Sequence, residues 1–89
     1  MKPCQFQFSP NAERQFGKLP GPIQKRVLTK LYFWERLKNP FISAKKLTGE
    51  HNIYRFRIGD YRVIVIPKDK EIFVILLILK IGHRKEVYK

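Results

Sequence analysis

Residues 54–66, YRFRIGDYRVIVI, decide how this chain is read. Apolar and polar positions alternate on both sides of Gly59-Asp60, the pattern of two strands joined by a two-residue turn. Glycine at the first loop position suits a type II′ turn, which needs a positive φ there. That turn sets the register: Ile58 faces Tyr61, Arg57 faces Arg62, Phe56 faces Val63, and Arg55 faces Ile64. Tyr54, Phe56, Ile58, Tyr61, Val63 and Val65 then share one face, the natural seat for helices. Arg55, Arg57 and Arg62 project from the other, together with Ile64 and Ile66. Directly opposed Cβ atoms lie about 4.5–5.5 Å apart, and two unit charges 4 Å apart repel by about 1 kcal/mol even in water. Ordinary strand pairing would alternate signs here. One reading is a solvated face on which long side chains splay apart. The sharper one is an anion site for phosphate, whose geometry guanidinium forks match. Ile64 and Ile66 on that face can pack against a base, a partner peptide or the end of the chain.

Outward from this hairpin, the run IFVILLILKI predicts a third strand over 72–81, apolar on both faces and therefore central in the sheet. PKDKE predicts the connection before it. The hairpin strands are expected at 53–58 and 61–66. Near the N-terminus, CQFQFS alternates, with Phe6 and Phe8 on one face of a short strand. Ser9-Pro10 reads as an N-cap followed by proline at the first helical position, opening a helix to about Lys18 with Ala12 and Phe16 inward. After LPGP, Pro22 opens a second helix. Ile23, Val27, Leu31 and Trp34 form its apolar stripe, and Asn39-Pro40 stops it after about Lys38. FISAKKLTGEHN reads as a connection with a turn at Gly49. The expected fold is α+β: an N-terminal strand, a two-helix antiparallel hairpin, then an antiparallel three-stranded meander, with helices on one face.

The 89 residues suit one domain, residues 1–89, with one modest core. Nineteen Lys and Arg against seven Asp and Glu give a net charge of +12. So large an excess costs self-repulsion, which nucleic acid, an anionic membrane or an acidic protein would relieve. The longest apolar run falls far short of the ~20 residues of a membrane helix. The single cysteine, Cys4, fits a cytoplasmic setting and reads as an apolar packing residue. The two histidines, His51 and His83, lie far apart with no carboxylates at metal-ligand spacing, so no metal or cofactor is expected. His51 reads as a loop residue. The chain ends KIGHRKEVYK, where Gly82 permits the last strand to turn. His83, Arg84 and Tyr88 then lie just beyond it. Histidine exchanges protons near neutral pH, and tyrosine can donate a proton or stack on a base.

KKLTG, YRFRIGDYRVIV and IGHRKEVY together resemble the RelE branch of the RelE/ParE toxin superfamily, over nearly the whole chain. The resemblance implies a toxin of a type II toxin–antitoxin system that cuts messenger RNA in the ribosomal A site. It also implies a neighbouring antitoxin, expected to be acidic, that neutralises the toxin in a heteromeric complex. The family's basic pair falls on Arg55 and Arg57, its arginine on the next strand on Arg62, its C-terminal arginine on Arg84 and its terminal tyrosine on Tyr88. His83 falls where members vary.

The implied reaction needs no cofactor. The 2′-hydroxyl attacks the adjacent phosphorus and the 5′-oxygen leaves. Arg62 and Arg84 are expected to stabilise the growing charge, and Arg55 and Arg57 to position the phosphate. Tyr88 would orient a base, and His83 is a candidate general base. Lys45, Lys46, Lys80 and Lys85 are expected to bind flanking RNA by charge. The antitoxin is expected to cover or displace the C-terminal segment. Two alternatives share the fold: a ParE-like inhibitor of DNA gyrase that cuts no RNA, and an inactive RNA-binding or antitoxin-sequestering domain.

Overall fold

Ser9 opens the first helix as its spelling implies. Its Oγ accepts from the Ala12 N–H at 3.1 Å, with Pro10 in the first turn. In the computed structural model, which describes residues 2–47 and 52–87, the elements run in the expected order. Strand β1 (Cys4–Phe8) leads into helix α1 (Pro10–Gly17) and helix α2 (Gly21–Glu35). A 3₁₀ turn (Pro40–Ser43) precedes strand β2 (Ala44–Lys46), and β3 (Tyr54–Ile58), β4 (Tyr61–Asp69), β5 (Val74–His83) and α3 (Arg84–Val87) follow.

Among the described residues the strands form one sheet in the order β1-β5-β4-β3-β2. β5 lies inside the sheet, parallel to β1 and antiparallel to β4, and β4 rather than β5 is the middle strand. The β3–β4 register is the one the turn demands, with Arg57 opposite Arg62 and Arg55 opposite Ile64. Gly59 has φ +58° and Asp60 does not take a positive φ, as a type II′ turn requires.

The core lies between the sheet and the first two helices. Val27, Leu31 and Trp34 of α2 are buried against Phe56, Val63, Val65, Leu76 and Ile78. Phe6, Trp34 and Phe56 form an aromatic cluster, with Trp34 and Phe56 centroids 4.6 Å apart. Gln24 ties α2 to α1 by donating to the carbonyls of Phe16 and Leu19. Glu35 reaches the outer edge of β1, where its carboxylate accepts from the Phe6 N–H at 2.7 Å.

Several boundaries differ from the sequence expectation. α2 ends at Glu35 rather than Lys38, because Leu37 leaves the helix to join the core. β4 passes through Pro67 to Asp69. β3 pairs with β4 only as far as Val65, so Pro67 lies where β4 has an open side and a missing N–H does no harm. The turn expected at PKDKE moves to residues 70–73, where the Lys70 N–H donates to the Phe73 carbonyl. β5 is displaced towards the C-terminus, since a run apolar on both faces carries no alternation to mark its ends. Gly82 is paired with Arg62 inside that strand and does not turn it. The connection after α2 contains β2, too short to register as a strand signal. Its Gly49, and His51, lie outside the described residues.

Candidate functional site

The ladder aligns basic residues in two rows on the face away from α1 and α2. Lys45, Arg55, Ile64 and Lys80 face one another across β2, β3, β4 and β5. Nearer the turn, Arg57, Arg62 and Gly82 form the second row. Adjacent strands lie about 4.8 Å apart, so these cations are neighbours by construction. Ile64 is buried between Arg55 and Lys80.

Arg62 is the one buried charged residue among those described, at 6% exposure. Its Nη1 donates to the Gly59 carbonyl at 2.8 Å and to the Tyr61 carbonyl at 2.9 Å. The intervening Asp60 carbonyl accepts from the Arg84 N–H at 2.8 Å. All three carbonyls of the β3–β4 turn are thus engaged by Arg62 and Arg84, and the start of α3 is pinned to that turn. A Cβ at Gly82 would meet nothing within 4 Å, so open space lies beside Arg62.

A fourth arginine reaches the same turn from α2. The guanidinium of Arg26 covers Gly59: a Cβ there would stand 3.0 Å from Arg26 Nη2. Arg26, Arg57 and Arg84 are all exposed. Lys2 and Asp69 form an ion pair at 2.8 Å, remote from this cluster.

His83 closes β5 opposite Tyr61, the two rings meeting edge to face at 5.5 Å. Its Nδ1 accepts from the Lys85 N–H at 3.2 Å. In a neutral imidazole that places the proton on Nε2. His83 therefore caps the first turn of α3. That helix lies on the arginine face, where Val87 is buried and lines a groove of about 300 Å³ with Ile64, Leu79, Lys80, Leu47 and Ile53. Ile64 thus shares a groove with Val87, near the end of the chain, one of the companions expected for it.

The structure brings Arg57, Arg62 and Arg84 to one end of the sheet, with Arg55 two residues away along β3 and half-buried. Lys45 and Lys80 flank Arg55 in its row. Lys46, paired with Tyr54, alternates to the helix side. Lys85 is exposed on α3. Tyr88 lies outside the described residues. Cys4 is buried, and burial, then the charge of Glu35, pushes its thiol pKa up. Arg26 escaped the sequence reading. It flanks the α2 stripe one residue from Val27, but nothing local reveals that α2 crosses the turn.

No helix among the described residues is long and apolar enough to cross a membrane. The family model described as the ParE toxin of the type II toxin–antitoxin system parDE matches residues 6–88. Toxin RelE3 of Methanocaldococcus jannaschii is 34% identical over 87 residues, 91% of each chain. The toxin–antitoxin complex RelBE2 of Mycobacterium tuberculosis contains a chain 28% identical with a TM-score of 0.76, covering 92% of this chain and 99% of its own. The RelB–RelE antitoxin–toxin complex of Methanococcus jannaschii contains one 25% identical with a TM-score of 0.65, covering 91% and 93%.

Proposed function

The chain belongs to the ParE toxin family of type II toxin–antitoxin systems, and from that premise we propose that it is a RelE-like endoribonuclease that cuts messenger RNA in the ribosomal A site without a metal. The observation that carries this reading is the convergence of Arg57, Arg62 and Arg84 at the β3–β4 turn. The 2′-hydroxyl of the substrate attacks the adjacent phosphorus, forming a 2′,3′-cyclic phosphate, and the bond to the 5′-oxygen breaks. The 5′-oxygen takes up a proton and leaves as a hydroxyl. Charge grows on the phosphorane oxygens, and cations already in place stabilise it without reorganising.

Arg62 is held through Nη1 by the turn carbonyls before substrate arrives. With Arg84 it faces the developing charge, while Arg57 and Arg55 orient the scissile phosphate. Tyr88 stacks on a base. Lys45 and Lys80 extend the cationic row to flanking phosphates, and Lys85 adds charge on α3. His83, with Nδ1 committed to α3, is assigned to positioning Arg84 rather than to taking the proton.

The partner is an antitoxin, in keeping with the toxin–antitoxin complexes among the structural relatives. An acidic segment that folds on contact suits a surface of this charge. We place its footprint over α3 and the groove at Val87 and Ile64. Such a complex with α3 in place and full cleavage activity would argue against that footprint.

The test is cleavage of ribosome-bound message by wild type, Arg62→Ala and Arg84→Ala, each treated with EDTA and desalted before it meets the magnesium-dependent ribosome. Loss of about 10²–10³ in rate for each variant is expected. Equal cutting by all three would overturn the electrostatic role, and abolition by EDTA would overturn the metal-free one. The match to a ParE model favours one other reading, a gyrase inhibitor that cuts no RNA. Blocked supercoiling with untouched translation would select it.

A further inference from the structure

We propose that the exposed flank of α2 is a second binding segment for single-stranded RNA, continuous with the arginine site across the Gly59-Asp60 turn. This deepens the ribonuclease reading and rests on it. Pro22, Lys25, Arg26, Thr29 and Lys30 line a groove of about 360 Å³. Arg26 and Lys30 are one helical turn apart, about 6 Å along the axis, on the flank that Arg26 extends to Gly59. Arg26 thus touches the back of the turn whose carbonyls hold Arg62. A strand leaving the arginine site over the turn meets Arg26 first and Lys30 next.

Two further observations favour a nucleic-acid strand. Phe33, 45% exposed, neighbours Lys30 of the groove, whose Nζ stands over its ring 5.8 Å from the centroid. Single-stranded nucleic acid is bound by a positive groove that tracks the backbone and by aromatic rings that stack its bases, and this flank carries both kinds of side chain. The acid of α2, Glu35, is turned away onto the Phe6 N–H, so it does not neutralise this flank. An acidic peptide would use the cations but has no need of the ring.

The experiment measures binding of a uridine dodecamer and of a uridine dinucleotide, with non-cleavable 2′-deoxy linkages, to the full chain between 50 and 200 mM salt. Wild type is compared with Arg26→Ala/Lys30→Ala and with Phe33→Leu, after matched thermal melts. In the double variant, dodecamer affinity should fall about tenfold at low salt. Its log–log salt slope should shrink by about 1.4, two contacts at ~0.7 each. Dinucleotide binding, confined to the arginine site, should not change. Phe33→Leu should weaken the dodecamer with its slope intact. Unchanged dodecamer binding in the double variant overturns the proposal, as does an equal loss for both ligands. A loss seen only with an oligo-glutamate peptide assigns the flank to an acidic protein and also overturns it. If wild type binds neither oligonucleotide the α2 segment is overturned alone, whereas the ribonuclease reading stands or falls by cleavage of ribosome-bound message.

Discussion

Arg57 and Arg62 stand directly opposite each other in the β3–β4 ladder, and the pair is split by burial. Arg62 folds back on the turn and is buried on two carbonyls, while Arg57 remains in solvent. Two like charges face to face are thereby tolerated: one is screened by water and the other is bound to backbone dipoles.

The split predicts different outcomes for the two positions. Arg62→Ala leaves the Gly59 and Tyr61 carbonyls without their donor and should destabilise the fold by about 1–3 kcal/mol. Arg57→Ala should leave the urea midpoint unchanged while weakening RNA binding. Urea titrations of both variants check this, and equal midpoints would contradict the bracing role of Arg62.

Gly59 carries the positive φ of the turn and lies beneath Arg26. Gly59→Ala should cost about 1 kcal/mol or more, since a side chain in the left-handed region is strained. Asparagine tolerates that region better, so Gly59→Asn should lose less. Thermal melts that rank alanine at or above asparagine would refute the conformational account.

His83→Ala removes the acceptor for the Lys85 N–H at the first turn of α3. Amide exchange in α3 should accelerate and cleavage should slow, with the shape of its pH profile preserved. A profile that loses one limb would make His83 a proton-transfer group instead.

Glu35 protects the open edge of β1 by accepting from the Phe6 N–H. Glu35→Ala should cost about 1–2 kcal/mol and increase self-association, because exposed strand edges recruit partners. Glu35→Gln keeps an acceptor and should behave nearly as wild type. It should also lower the raised Cys4 thiol pKa, since the Glu35 charge is the second cause of that shift after burial. A raised thiol pKa favours the neutral form in the folded state. Its stabilisation is therefore present below the unfolded pKa and is lost as pH rises through the folded one. Cys4 alkylation against pH, in wild type and Glu35→Gln, checks the shift, and superposed curves would exclude the charge contribution.

Most of the scaffold was legible in local patterns. The Ser9-Pro10 cap, the α2 stripe at Val27, Leu31 and Trp34, and the register at Gly59-Asp60 each rest on residues close together in the chain. Strand ends were less legible: β5 is apolar on both faces, and Pro67 is allowed only because β3 has already stopped pairing. β2 has three residues and α3 four, too few for a period to show.

Of the candidate site, the alignment of Arg57 with Arg62 follows from the two-residue turn alone, because strand pairing propagates from it. That Arg62 is buried, that Arg84 is tied to Asp60, and that Arg26 arrives from a helix thirty-odd residues earlier could be decided only in three dimensions. The physical reason is range: turn chemistry and periodicity act between chain neighbours, whereas burial of a charge depends on elements that the folded core alone brings together.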